Sequence, residues 1–476
     1  MAFTNSTKPV CLLILSLLIQ SVLSFPRASH SDPNGTLTRD VCIIGGGSSG
    51  TYSAIRLQQL GLSVALIETQ DRLGGHVNTF VDSSTNQSFD YGVISFDNIS
   101  VVTDYFAHFD IPLTSAGFSG GASSTVNFED GSSVPASNVS QTAIFAAFEA
   151  YQSQLAQYPY LTTGWQDLPS TLPDDFLLSW GDFIQKYNLS AAAFLISTLL
   201  QGIGNILVQP TLYIFKYLNA QTVQNILTNG FLTTANHNNQ GLYNKALAEL
   251  GSNALISSNV TKITRSDTGV EVTVSTPSGI QQIQASKLVI AIQPKLSSLS
   301  PFLDLDDQEQ SLFSQFNNSY YWDSVILNSG IPDNVSLSNV NPSNPYGIPS
   351  MPGIYSISAE PVEGTNALWY SSPNNISDEE VKADILTTLG RIKTGQGYPS
   401  PNGTVEFATF NSHAPFELTV SVDAIKNGFY QQLASLQGKR NTWWTGATWQ
   451  GAHDSSVIWN YTEYEVLPKI TGSTSN

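Results

Sequence analysis

Cysteine is nearly absent from this chain, with two in 476 residues, Cys11 and Cys42. A disulfide-stapled scaffold is therefore excluded, and stability has to come from core size. Charge is scarce as well. Only 12% of residues are charged, and 19 basic against 37 acidic residues leave a net charge of −18. That acid excess repels phosphate backbones and anionic membrane surfaces, so no nucleic acid is expected as a partner, and a neutral or cationic small molecule is. Long apolar runs are missing too. The longest, Val10 to Ile19 with Ser16 inside it, is about half of the ~20 residues that span a bilayer. Followed by Val22-Leu23-Ser24, it reads as a cleavable secretory signal over residues 1–24, with no stable membrane insertion. None of the 6 histidines has metal-ligand spacing to another, so no metal site is expected.

What is present fits a secreted folded protein. Hydrophobic residues make up 41% of the chain, enough for a large core, and N-glycosylation sequons recur from Asn34 to Asn460. After the signal only Cys42 remains, inside the apolar Val41–Ile44, where a buried packing role is expected.

The hydrophobic pattern is α/β. Val41–Ile44 reads as a strand, Ser49–Leu60 as a helix and Ser63–Glu68 as a second strand, which makes one βαβ unit. From Val101 to Asn229 the pattern is mostly helical. Strand periodicity returns at Val260–Arg265, Val270–Thr276 and Leu288–Ile292, and again at Ser324–Leu327, Ala367–Tyr370 and Thr442–Thr445. The simplest organisation is a nucleotide-binding domain from residues 38–100, 230–300 and 405–476, with a substrate domain from residues 101–229 and 301–404 inserted into it.

Gly45-Gly46-Gly47-Ser48-Ser49-Gly50 fits G-x-G-x-x-G between the first strand and the first helix. Alone the match is weak. Glu68 strengthens it, closing the second strand 18 residues after Gly50, where an acid accepts hydrogen bonds from the ribose hydroxyls of an adenine dinucleotide. The glycines admit a pyrophosphate, and Ser48 and Ser49 open a helix whose free N–H groups suit its charge. A rival reading takes Gly46 to Gly50 as the G-x-S-x-G elbow of a serine hydrolase with Ser48 as nucleophile. It puts Ser48 on the first strand of the mature chain and leaves Glu68 without a role, and no later Asp-to-His order stands out.

Asp71-Arg72-Leu73-Gly74-Gly75-His76-Val77 comes next, placing a cation and two glycines just past the ribose-binding acid. Here the sequence resembles the flavin-containing amine oxidase superfamily, and within it the secreted fungal enzymes of the beta-cyclopiazonate dehydrogenase (oxidocyclase) type. The blocks that carry the resemblance are VCIIGGGSSGTYSAIRLQQLG, DRLGGHVNTF, FDYGV, VVTDYFAHF, KLVIAIQPKL, TWWTGATW and HDSSVIW. It implies a Rossmann-type, glutathione-reductase-like FAD domain built from discontinuous segments, with an inserted α+β substrate domain. The enzyme would be an FAD-dependent oxidoreductase that passes a hydride to the flavin and is reoxidised by dioxygen, or a dehydrogenase or oxidative cyclase of secondary metabolism.

Carried over residue by residue, the resemblance assigns Gly45, Gly47, Ser49 and Gly50 to the pyrophosphate and Glu68 to the ribose. Arg72, Gly74, Gly75, His76 and Val77 would meet the ribitol and ring, Val260 the adenine, and Thr445 and Gly446 the ribitol side. Ser455, Ser456 and Val457 would start a helix facing the flavin pyrimidine. Two positions depart from the family: Ala447 stands where a ribitol-binding acid is usual, and Ser319–Gly330 lacks the lysine often found beside the flavin. His413 and His453, in or beside flavin-facing blocks, are the candidate catalytic residues. Such a histidine can accept a proton, wall the pocket or tether the flavin.

Overall fold

The computed structural model describes residues 35–116, 122–399 and 403–472. The secretory signal expected over residues 1–24 lies outside them, as do the sequon asparagines Asn34 and Asn402.

Two sheets position everything that follows. The first has the order Ala254–Leu255, Val64–Ile67, Leu37–Ile44, Gly279–Ile290, Gly269–Thr276, Asn259–Ser266. Its middle is parallel, with Ile43 level with Leu66 on one side and Val289 on the other. Both faces are covered, which is why Val41–Ile44 and Val64–Ile67 are continuous apolar runs, every residue of them buried. The long strand Gly279–Ile290 changes partner along its length. Its first half pairs antiparallel with Gly269–Thr276, and its last three residues pair in parallel with Thr442–Trp444 from the chain's tail. Cys42 is a free thiol in this core, and burial pushes its pKa up to about 12, so it is inert packing.

The second sheet has the order Glu406–Ser412, Tyr320–Leu327, Thr365–Ser372, Gly353–Ala359, Val335–Asn339, Ala122–Val126. Strand alternation divides its residues between two faces. Trp322, Ile326, Leu368 and Tyr370 pack with Val381, Ile385, Leu389 and Ile392 of the helix Asp378–Gln396. On the opposite face, Val325 and Ala367 pack with Phe89 and Tyr91 from the chain's first hundred residues. Helices between Gln141 and Thr228 build the remaining wall.

One expectation needs correction. The segment boundary at residue 405 is too early, because Glu406–Ser412 is the edge strand of the second sheet, paired with Tyr320–Leu327. The stretch Val101–Asn229 is mostly helical among its described residues, and within it Ala122–Val126 is a strand pairing in parallel with Val335–Asn339. Its Ser-Ser-Thr core lacks the apolar alternation that marks strands, so its partner decides its state.

Candidate functional site

The turn after the first strand is built for close approach. Gly45 has φ +100, and a Cβ on Gly50 would stand 1.8 Å from the Gly45 carbonyl oxygen. Gly50 thus lets the helix Ser48–Gln59 seat against the turn. It does not line the groove beyond, which corrects its assignment to the pyrophosphate. That helix starts at Gly47 with no capping side chain and no acidic residue in its first turn, so its first N–H groups remain open to an anion.

A groove of about 660 Å³ runs from this helix start across the edge of the first sheet. Gly45, Gly47, Ser48, Ser49 and Glu68 line one end, Arg72, Gly74, Gly75, His76 and Val77 the middle, and Thr445, Gly446 and Ser455 the tail side. Glu68 closes the end wall. Its carboxylate accepts from the N–H of Gly46 at 2.6 Å and of Gln70 at 2.7 Å, which locks the glycine turn to the second strand. Gly75, at φ +56, faces Gly47, and a Cβ on it would stand 3.0 Å from the Gly47 Cα. Two buried polar atoms on the wall, Gln293 Oε1 and Trp449 Nε1, have no hydrogen-bond partner among the described residues. Glycine backbones facing each other, a free helix start, a carboxylate and orphaned polar atoms suit a long polar dinucleotide carrying a flat ring system.

A second cavity of about 430 Å³ adjoins the groove. Val93, Leu200, Leu218, Phe231, Tyr321, Trp369 and Phe416 give it mainly apolar walls, and the partly exposed Ile94 and Leu199 also line it. Five residues line both spaces: His76, Val93, His413, His453 and Ser455. Half of the chain's histidines therefore meet at one junction.

Each of these imidazoles has a different setting. His413, 6% exposed, places Nε2 2.8 Å from Asp323 Oδ2. His453 places Nε2 2.7 Å from Glu417 Oε2, and the same carboxylate oxygen accepts from the Tyr217 hydroxyl at 2.7 Å. His76 projects into the cavity, its ring 4.2 Å from the His413 ring and tilted 59° to it. Enclosure by protein, then the positive charges that His413, His453 and Arg72 can carry, hold its pKa well below the usual value. It stays neutral. Phe416 lies flat against His453 at 4.3 Å and against Tyr321 at 4.8 Å, continuing the aromatic wall.

Comparison with known proteins identifies this arrangement. Residues 49–406 match the model of the flavin containing amine oxidoreductase family. The chain belongs to that family. It is 39% identical over 444 residues to the FAD-dependent oxidoreductase oblC of Cochliobolus heterostrophus, covering 91% of each chain. It is 31% identical to beta-cyclopiazonate dehydrogenase of Aspergillus flavus over 96% of this chain and 98% of the relative. Among solved structures, a fatty acid isomerase from P. acnes superposes with a TM-score of 0.71 at 19% identity, over 90% of this chain and all but 1% of that one. Putrescine oxidase bound to putrescine gives 0.62 at 16% identity, over 91% and 99%. These two likenesses concern the fold. The protein is an FAD-dependent oxidoreductase with a Rossmann-type FAD fold and a second, substrate-side sheet.

Within this oxidoreductase, several residues depart from their expected places. Val260 does not line the groove; it is half-buried on the edge strand Asn259–Ser266, two residues past Ser258, whose N–H bonds the Glu68 carbonyl. Ser456 and Val457 do not line it either. The Ser456 amide donates to the Asp454 cap at 2.7 Å and its hydroxyl accepts from the Asp97 N–H, so this helix start is closed by protein. Arg72 lines the groove, but its guanidinium donates to the Gly75 and Val77 carbonyls, Asn78 and Gln240, shaping the loop from within. Ser48 donates to Ser455 Oγ at 2.8 Å and to no histidine, which removes the basis for a serine nucleophile.

Other residues of the site were not anticipated. Asp323, in the strand lacking the expected lysine, is 1% exposed and sits under His413. Its signal was a lone charge inside SYYWDSVILNSG. Asp97 and Asp454 form a buried acid pair beside the apolar cavity. Burial, then the facing Asp454 carboxyl, pushes Asp97 up to about 8. Glu417 likewise shows its role only once the fold brings it to His453.

Proposed function

We propose that this enzyme oxidises a neutral, largely apolar small molecule held in the second cavity, at a carbon next to nitrogen or one similarly activated. The observation that carries this reading is the junction: an apolar chamber opens onto the cofactor groove through three imidazoles. Bound FAD supplies a hydride acceptor at its N5 atom. The chain's residues do the rest. Gly45, Gly47, Ser49 and the helix start at Ser48 hold the pyrophosphate, Glu68 the ribose, and the Arg72-shaped loop Gly74–Val77 the ring side, with Thr445 and Gly446 opposite. Val93, Tyr321, Trp369 and Phe416 exclude water and orient the substrate. His413 takes up the proton that accompanies oxidation, and His453 is the second such group across the junction. Asp323 already accepts from Asn78, Asn411 and His413. An ammonium would find that carboxylate occupied, which favours an uncharged substrate.

Dioxygen is the proposed terminal oxidant. A dehydrogenase or oxidative cyclase of secondary metabolism is the second reading, favoured by the similarity to beta-cyclopiazonate dehydrogenase. Anaerobic mixing of the yellow protein with indoline, a neutral amine, and with benzylammonium tests the substrate class. Indoline should bleach the flavin faster; bleaching by benzylammonium alone would contradict the proposal. Admitting air then separates the two oxidants, since an oxidase yields one hydrogen peroxide per flavin and a dehydrogenase yields none within the same time.

Secretion belongs to the same proposal. Every sequon asparagine among the described residues is exposed except Asn460, which is half-buried. The mature chain should begin near Phe25 and shift on a gel after removal of N-glycans. A mature chain retaining Met1, with no shift, would argue against it.

A further inference from the structure

Asp323 is the lone acidic or basic residue of the strand Tyr320–Leu327, and it is 1% exposed. Its carboxylate collects side chains from separate segments: Asn78 Nδ2 at 3.0 and 3.2 Å, Asn411 Nδ2 at 2.8 Å and His413 Nε2 at 2.8 Å. Asn78 in turn accepts from Arg72 Nη2 at 2.7 Å, and Arg72 holds the carbonyls of Gly75 and Val77. One buried carboxylate thus ties the loop that lines the cofactor groove to the histidine at its mouth.

We propose that Asp323 is the positioning residue for proton transfer, fixing the Nε2–H tautomer of His413 so that Nδ1 carries the lone pair that receives the substrate's proton. This rests on His413 being the acceptor. In the step itself, an N–H or O–H bond of the substrate breaks, its electron pair stays on the substrate, and the proton forms a bond to Nδ1. The resulting imidazolium faces the Asp323 carboxylate, which also accepts from the Asn78 and Asn411 amides. The titratable groups that face it from other elements are His453 with Glu417, Tyr91 beside Asn411, and Arg72 behind Asn78. On the cofactor loop, burial and its cationic neighbours lower the pKa of His76. Asp323 is therefore the anion that holds a protonated His413.

The test is Asp323→Asn in the FAD-loaded protein with ¹⁵N-labelled histidine. The amide has the same shape, and its oxygen still accepts from an asparagine, but its N–H₂ now meets His413. The ring must then put its lone pair on Nε2 and its hydrogen on Nδ1. The expected result is unchanged flavin content, a His413 signal that switches from the Nε2–H to the Nδ1–H tautomer, and flavin reduction by indoline slowed about 100-fold or more. His413→Gln assigns the signal. An unchanged tautomer in Asp323→Asn overturns the proposal. The wild-type spectrum can do so without any variant, if His413 carries its hydrogen on Nδ1. A switched tautomer with an unchanged rate would instead remove His413 as the acceptor while its placement by Asp323 stands.

Discussion

Gly50 stands so close to Gly45 that a single added carbon would lie 1.8 Å from the Gly45 carbonyl oxygen. Gly47, three residues earlier, has no such neighbour: its own Cβ would have only the Gly75 Cα within 4 Å, at 3.9 Å. The glycines of one motif therefore serve different purposes, and substitution should separate them. Gly50→Ala should fail to accumulate as folded protein, since backbone would have to move. Gly47→Ala should fold with near-wild-type melting behaviour and lose most of its flavin. Expression, thermal melts and the flavin-to-protein ratio decide it.

Glu68 has two duties, which a pair of variants can part. Its carboxylate accepts from Gly46 and Gln70 N–H groups and lines the groove where a ribose would sit. Glu68→Ala removes charge-assisted contacts worth roughly 1.5–3 kcal/mol, or about 10- to 100-fold in FAD affinity. Glu68→Gln keeps one acceptor oxygen for the glycine turn and should lose less. FAD dissociation constants measured on deflavinated protein check both, and equal affinity in the alanine variant would contradict the assignment.

How far the sequence carried depended on how local each feature is. The βαβ unit, its glycine turn and Glu68 are set by neighbouring residues, so pattern reading placed the helix within one residue of Ser48–Gln59 and found the end of the strand Leu37–Ile44, missing its more polar first four residues. Tyr321 and Trp369 line the chamber while Trp322 and Tyr370 enter the core, as alternation requires. The rest was invisible because it is long-range. Asp323 meets Asn78 across 245 positions, and Glu417 meets Tyr217 across 200. No spacing rule reaches that far. Ser456 looked like an open helix start although Asp454, two residues earlier, is a local cap signal that was not used; only the Asp97 N–H, 359 positions away, needed the fold to be seen.

The Asp97–Asp454 pair makes stability depend on pH in a defined direction. Burial first, and Asp454 second, raise Asp97 from 3.8 to about 8. Between these values the folded chain keeps a proton that the unfolded chain has released. Stability from this group is thus fully present below the unfolded value and is lost as pH rises through the folded one. Asp97→Asn still accepts from Asn225 and donates toward Asp454, with nothing at that position left to titrate. The melting temperature of the variant minus that of the wild type should therefore grow from pH 4 to pH 8. A gap that shrinks or stays constant would contradict the assignment.

The central claim is that an FAD groove and an apolar substrate chamber meet at one histidine junction, and visible absorption tests it most directly. The purified chain should be yellow with one flavin per chain, and saturating indole should perturb the flavin spectrum. Leu199→Trp, which fills the cavity beside a partly exposed wall residue, should keep the flavin and lose the indole response. A chain that stays colourless after incubation with FAD, or a flavin spectrum that indole leaves unchanged in the wild type, would contradict the account.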